Sequence, residues 1–439
     1  PLMTLFKNIL VKILTLESRM ILKKYKPFIV AVTGSVGKTS AKDAIHCVLK
    51  GESRHVRKSE KSMNSEIGIP LTVIGVPNAW KSMSGWIRNI WAGYKLILFK
   101  GEYPDCLVLE IGADHPGDIK NVTKWLQPDI AVITKVSKTP VHVEFFDSPE
   151  QVFEEKAALG MAVKDGGSLI LFADDEKVLS IGDRVRSRNV RIISYGTVPT
   201  ADVIGREYSI VYKEENGVKF PTGTKFDVDI KGIVKSFDIY GVLGETCEYP
   251  VLAAVAVGLA KSVDPDMIVK NFEGYNAPRG RMNLVAGINR STLIDDTYNS
   301  SPDAASSALR TLRSVETTGV KIAILGDMME LGKHAADEHK KIGREVAGVA
   351  GILITVGPRS RATAEEAIQA GIKPKMVYSF GSSNEVVDTG MPVVTGGDIV
   401  LIKGSQSVRM ERVVKALMRS PNRSAELLVR QEKEWMEKK

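Results

Sequence analysis

The chain has 439 residues, 44% hydrophobic and 26% charged, which is the composition of a globular protein of roughly three domains rather than a disordered or fibrous one. Its three cysteines, Cys47, Cys106 and Cys247, stand far apart with no CxxC pair, excluding a disulfide framework or a cysteine zinc site and suiting a reducing cytoplasm. The formal net charge of +8 comes from Lys and Arg running along the whole chain, which fits small anionic substrates or an anionic membrane surface and gives no nucleic-acid footprint.

In chain order, residues 1–26 come first, opening on Pro1 as a processed or trimmed product would. Phe6, Ile9, Leu10, Ile13, Leu14, Met20 and Ile21 recur there at helical spacing, interleaved with Lys7, Lys12, Arg19, Lys23, Lys24 and Lys26. No uncharged run reaches the 18 or so residues a spanning helix needs. The expectation is an amphipathic helix that packs its stripe on the body of the protein, with peripheral membrane contact as the alternative.

Phe28–Val32 is an apolar, β-branched run that breaks into Thr33-Gly34-Ser35-Val36-Gly37-Lys38-Thr39-Ser40 and then a helical pattern over Ala41–Lys50. Glycines there let backbone N–H groups approach phosphate oxygens, Lys38 can reach the outer phosphates, and the Thr39 hydroxyl can ligate Mg²⁺. The usual Gly-x-x-x-x-Gly-Lys-[Ser/Thr] spacing wants glycine where Val32 stands, so the loop is short, and a bare strand-turn-helix corner is the alternative reading.

Further strands are predicted at Leu107–Ile111, Ile130–Thr134 and Ser168–Phe172, alternating with helices such as Pro149–Met161, hence parallel βαβ units. Glu110 falls at the carboxyl end of its strand, where ligands of open α/β sheets collect, and is a candidate Mg²⁺ ligand. His142 lies in the loop after the next strand. Ser148 with Gln151 and Pro149 forms a capping box that starts a helix, and Lys156 falls two turns into it. An imidazole there could ligate a second cation, but spacing alone favours a capped loop histidine and a solvated lysine.

Val203–Tyr240 reads as hairpins appended to this unit, Leu252–Lys261 as an alanine-rich helix, and Gly274–Gly280 as a linker. A second strand series follows at Ser291–Ile294, Val320–Leu325, Gly351–Val356, Met376–Phe380 and Ile399–Ile402, a smaller α/β domain. Arg279 and Arg281 at the linker are candidate γ-phosphate clamps. Asp295-Asp296 ends a strand with paired carboxylates. The tail 430–439 reads as a solvated helix end, and Trp80–Trp91 as an exposed helix that packs or faces a membrane.

The run of Thr33–Thr39, Asn64-Ser65-Glu66-Ile67-Gly68-Ile69-Pro70-Leu71-Thr72, Glu110-Ile111-Gly112-Ala113, Asp295-Asp296-Thr297-Tyr298-Asn299, Ile324–Gly332 and Lys403-Gly404-Ser405, in this order, resembles the Mur ligase family of ATP-dependent amide-forming enzymes over roughly residues 20–439. The shortened loop is usual in that family. The resemblance implies an α/β fold: a lead at 1–26, a P-loop parallel-sheet ATPase domain at 27–277 and a Rossmann-like domain at 278–439.

It implies that ATP binds through Gly34, Ser35, Gly37, Lys38, Thr39, Ser40, Asn64, Arg281 and Asp296, with Lys38, Lys156, His142 and Arg281 serving catalysis. Two Mg²⁺ sites are implied, one on Thr39 and Glu110, the other on His142 and a carbamylated Lys156. The implied chemistry activates a carboxylate as an acyl phosphate that an amine attacks; the implied substrates are a UDP-muramyl-tripeptide and D-alanyl-D-alanine, acted on by a cytoplasmic monomer. A different carboxylate or amine, or a non-catalytic nucleotide-binding partner, are the alternatives. Two departures stand out: the family's UDP-substrate-binding domain is missing ahead of the P-loop, and Gly244-Glu245-Thr246-Cys247-Glu248-Tyr249-Pro250 replaces a Gly-x-His-Asn-x-x-Asn segment whose last asparagine helps bind adenine.

Overall fold

A computed structural model describes residues 2–60, 63–80, 82–140 and 142–436. Pro1, Lys81, Val141 and residues 437–439 of the segments named above lie outside it, as do the side chains of residues 2–5, Glu245, Thr246, Glu434 and Met436.

Among the described residues, nine strands make one sheet: β1 (Phe28–Thr33), β2 (Val56–Lys58), β3 (Cys106–Glu110), β4 (Ile130–Ile133), β5 (Ser168–Phe172), β6 (Arg191–Gly196), β7 (Val203–Glu215), β8 (Val218–Ile230) and β9 (Ile233–Tyr240). Their order is β2-β3-β1-β4-β5-β6-β7-β8-β9. Strands β1 to β6 pair in parallel, and the continuously apolar runs of β1, β3, β4 and β5 are buried because helices cover both faces. The 203–240 hairpins extend this same sheet as an antiparallel meander.

A second sheet holds β10 (Asn283–Ala286), β11 (Thr292–Asp296), β12 (Lys321–Gly326), β13 (Ile352–Val356), β14 (Val377–Phe380) and β15 (Ile399–Lys403), ordered β10-β11-β15-β12-β13-β14. Only the edge strand β10 runs antiparallel to its neighbour. The architecture is therefore the α/β arrangement predicted from the sequence, a large parallel-type sheet followed by a smaller one.

The register sets up the site. Val32 pairs with Glu110 and Thr33 with Ile133, so the loop after β1 leaves the sheet between the carboxyl ends of β3 and β4. Neighbouring strands departing to opposite sides open a crevice at that edge.

The lead forms one helix, Leu2–Tyr25, and buries Leu10, Leu14, Ser18 and Ile21 against the body, as the sequence predicted. It lies beside the Met83–Leu98 helix, running in the same direction: Glu17 fits against Gly93, and Lys24 Nζ donates to the carbonyls of Leu96 (2.8 Å), Ile97 (3.0 Å) and Phe99 (2.7 Å), closing that helix's C-terminus. Glu17 is buried with neither carboxylate oxygen hydrogen-bonded among the described residues, and burial pushes its pKa up to about 7.

The folded state therefore holds a proton on Glu17 that the unfolded chain releases near pH 4.5. Stability falls as pH rises between these two values. Glu17→Gln is expected to stabilise the protein by on the order of 1 kcal/mol more at pH 8 than at pH 4. Thermal unfolding of both proteins at the two pH values measures this, and an equal effect at both would refute it.

Candidate functional site

Thr33 ends β1 with its hydroxyl donating to Ile111 O at 2.8 Å, and the chain then turns through Gly34 at φ 148°. A Cβ there would sit 1.9 Å from Thr134 Oγ1, so only glycine fits. Thr134 Oγ1 in turn donates to Val36 O at 2.7 Å, while Ser35 N–H and Val36 N–H donate to Lys135 O. The second glycine, Gly37, adopts φ 86° and starts the Lys38–Lys50 helix with no side-chain cap. The first turn's N–H groups are thereby open to an anion.

Lys38 folds back so that Nζ donates to Gly34 O at 3.0 Å. Desolvation lowers its pKa, Arg281 adds to that, and Glu110 and Asp114 oppose it. Thr39 Oγ1 lies 2.9 Å from Glu110 Oε2, and Asn64 Nδ2 donates to Glu110 Oε1 at 3.0 Å. Glu110 is itself held by register and by a 3.1 Å bond from its N–H to Ser59 Oγ. A hydroxyl and a carboxylate this close, both buried, form an oxygen donor set suited to a hard divalent cation.

A cavity of about 670 Å³ lies between the two sheets. Ser35, Gly37, Lys38, Thr39, Asn64, Glu110 and His142 line it from one side, and Arg281, Asn299, Ser300, Glu330 and Ser405 from the other. Ser35 Oγ and Arg281 Nε are buried with no hydrogen-bond partner among the described residues, the signature of groups that await a polar ligand. The Arg281 guanidinium stacks 4.2 Å from the Tyr298 ring centroid, which aims it into the gap. Arg279 instead donates to Ala425 O at 2.8 Å and does not line the cavity.

His142 sits at φ 68° at the start of a short helical turn. Its Nδ1 lies 2.9 Å from Glu330 Oε2 and its Nε2 3.4 Å from Asp114 Oδ1, so it bridges the two halves of the cavity wall. That close contact with His142 holds the Glu330 carboxyl below its ordinary range. The capping box behind it forms: Ser148 Oγ accepts from Gln151 N–H, and Gln151 Oε1 from Asp147 N–H.

Lys156, in the helix so started, is buried rather than solvated. Desolvation, reinforced by Lys38, pushes its pKa down to about 7 against the pull of Asp114 and Glu155. No hydrogen bond or ion pair engages its Nζ among the described residues. Lys38, Lys156, Asp114 and His142 thus form one electrostatic neighbourhood through Asp114.

Gly34 and Ser40 are buried in the loop and first helical turn behind the cavity wall. Asp296 also stands back: its Oδ2 lies 2.6 Å from the buried Lys403 Nζ, which donates to Asn299 O as well. Its place is beneath the Tyr298–Ser300 loop, away from the cavity surface. Arg430, at the start of the tail, is buried rather than solvated, donating to Thr297 O at 2.9 Å and to Tyr298 O and pairing with Glu411 at 3.2 Å, while Glu432 and Lys433 beyond it are exposed and Lys433–Met436 is helical. A guanidinium with three partners at an inward turn is invisible to a pattern of local charge.

Residues that sequence reasoning did not select include Glu330, Tyr298, Ser405 and Arg409. Strand-terminal Gly326 and Lys403-Gly404-Ser405 are the local signals that marked that edge. A second, apolar hollow adjoins Val36 and Gly37 and is walled by Phe172, Tyr195, Tyr249 and Pro250, with Phe172 and Tyr249 meeting edge-on at 4.8 Å. Pro250 is accommodated within the Glu245–Ala260 helix.

The fold and site define a P-loop phosphate-binding α/β protein whose second domain offers an arginine across the cradle. The Mur ligase middle domain matches residues 32–258 and the Mur ligase glutamate ligase domain matches residues 280–406, and the chain belongs to the Mur ligase family. The UDP-N-acetylmuramoyl-tripeptide--D-alanyl-D-alanine ligases of Bacillus subtilis and Escherichia coli are 28% and 26% identical to it, over 90% and 89% of this chain and 76% of each relative. MurF from Thermotoga maritima, solved in complex with ADP, superposes with a TM-score of 0.73 at 24% identity, covering 92% of this chain and 83% of that one. A MurF structure from Acinetobacter baumannii gives 0.73 at 23% identity, covering 91% and 79%.

Proposed function

We propose that this chain is an ATP-dependent, ADP-forming ligase that joins D-alanyl-D-alanine to the terminal carboxylate of a UDP-muramyl-tripeptide in peptidoglycan precursor synthesis, acting as a cytoplasmic monomer. The observation that carries this reading is the Thr39–Glu110 pair at 2.9 Å beneath an uncapped helix N-terminus, facing Arg281 across the cavity. The sequence relatives named for that reaction support the substrate assignment.

In the proposed reaction the carboxylate oxygen attacks the γ-phosphorus and ADP departs, leaving an acyl phosphate. The amine then attacks the acyl carbon, loses a proton, and the tetrahedral adduct expels phosphate as the amide forms. Open N–H groups after Gly37 and the Lys38 ammonium hold the phosphates, and Arg281 neutralises charge as it builds on the transferring group. Closure of the two cavity walls on each other would keep water from the acyl phosphate.

Thr39 and Glu110 would hold one Mg²⁺, and His142 with a carbamate of Lys156 a second; bound cations supply fixed positive charge beside the phosphoryl oxygens. A Lys156 amine with its pKa near 7 has the neutral fraction that carbamate formation from carbon dioxide requires. The hollow walled by Phe172, Tyr195, Tyr249 and Pro250 would take the base of the nucleotide by apolar packing.

With ATP, Mg²⁺ and both substrates present, phosphate release is expected; omitting either the UDP-muramyl-tripeptide or D-alanyl-D-alanine is expected to reduce it to background. No release with all components present would overturn the substrate assignment.

A further inference from the structure

We infer that the paired helices Leu2–Tyr25 and Met83–Leu98 form a docking surface for an anionic membrane, on which the protein lies without crossing it. Met83, Ile87, Trp91, Tyr94 and Leu98 recur on one exposed stripe of the second helix; Ile87 and Leu98 are each 66% exposed and Trp91 57%. The first helix leaves Phe6, Ile9, Leu16 and Met20 exposed along one flank, between the face it buries and the face that carries Lys12, Arg19 and Lys23. Isolated exposed apolar side chains are ordinary; two adjacent helices that expose whole stripes with Trp and Tyr among them are not.

The charge distribution identifies the occupant. Residues 7–26 and 83–100 carry nine basic side chains and one acidic one, a net charge equal to the +8 of the entire chain, so the remaining sequence is neutral overall. Although basic residues occur throughout the sequence, the excess resides on this helical pair. All nine are exposed, and the single acid, Glu17, is buried between the helices. Lys7 pairs with the exposed Glu66 at 2.8 Å and Lys24 is taken up by the carbonyls that end the second helix; the other seven cations stand beside the apolar stripes, with no exposed acid among residues 6–26 and 83–100.

A polyanion such as nucleic acid would satisfy the lysines and leave Ile87, Leu98 and Ile9 in water. A second copy would bring like-charged faces together. A bilayer with anionic headgroups satisfies both features at once, taking the apolar stripes into the acyl boundary and the lysines into the headgroup layer. No helix of the described residues is long and apolar enough to span a membrane, which leaves an interfacial position.

Co-sedimentation of the full chain with phosphatidylcholine vesicles, with and without one third phosphatidylglycerol, tests this. At least about tenfold tighter binding is expected on the anionic vesicles, weakened by high salt. The variant Ile87→Ser/Trp91→Ser/Leu98→Ser changes only exposed side chains, so its thermal midpoint and its turnover on soluble substrates are expected to match the parent while vesicle binding is lost. Absence of binding by the parent, or undiminished binding by the variant, overturns the proposal. So does a parent that light scattering shows to be a dimer and that the variant makes a monomer, because the stripes would then be covered by a second copy.

Discussion

Replacing Lys38 with alanine is expected to lower ATP-driven phosphate release about a thousandfold while shifting the unfolding midpoint by little. Among the described residues the ammonium makes one hydrogen bond, to the Gly34 carbonyl in its own loop, so its removal takes little from the fold. Its electrostatic setting explains the expected loss. Burial and Arg281 both disfavour the cation in the free protein, and a bound triphosphate would supply the negative charge that restores it. Removing one preorganised donor from such a site costs on the order of 10²- to 10³-fold, and Lys38 would contact the phosphates in both ground and transition states. Titration calorimetry with ATP and initial rates of phosphate release measure the two parts. A variant that keeps parental turnover would remove Lys38 from the mechanism.

The phosphate loop was legible because its requirements are local: a buried strand, glycines at Gly34 and Gly37, and a helix start follow from neighbouring residues. The same holds for Glu110, whose place at the end of an apolar run puts it at the sheet edge. Strands β1, β3, β4 and β5, and all five predicted strands of the second sheet, formed within a residue or two of their expected limits. The short β2 and the half-exposed β6 were missed, since three residues of mixed polarity or a strand opening on an exposed arginine carry little periodic signal.

What was not legible depends on distant segments meeting. Nothing local to Asp296 announces that Lys403, more than a hundred residues on, will take its carboxylate, nor does the sequence near His142 announce Glu330. The charged look of the tail hides Arg430, which becomes buried only because Thr297, Tyr298 and Glu411 converge on it. The contact between His142 and Glu330 has a chemical consequence. A histidine that faces two carboxylates must exchange at least one of them before its nitrogen is free for a cation, and Glu330 arrives from the second domain together with Arg281. Relative movement of that domain would couple the availability of His142 to the position of the arginine.

Lys156→Ala is expected to lower turnover at least a hundredfold, with partial recovery on adding short carboxylic acids such as acetate. The lysine is buried, engages no hydrogen bond or ion pair among the described residues, and lies near enough to Lys38 and Asp114 for both to act on its charge. Keeping a buried ammonium there without a partner is unfavourable, and the downward displacement of its pKa to about 7 expresses that cost. Carbamylation resolves the conflict by replacing a cation with an anionic oxygen ligand beside Lys38. Alanine removes that anion and leaves a space of the right size for a small carboxylate to supply it. A merely structural lysine would give a variant that acetate does not rescue. Carbon-13 bicarbonate provides a readout independent of activity: the parent is expected to show a carbamate carbon resonance that Lys156→Ala lacks. Parental turnover in the variant, or the absence of that resonance from the parent, would refute the carbamate, and the donors for a second cation would then have to be sought among Asp114, His142 and Glu330 alone.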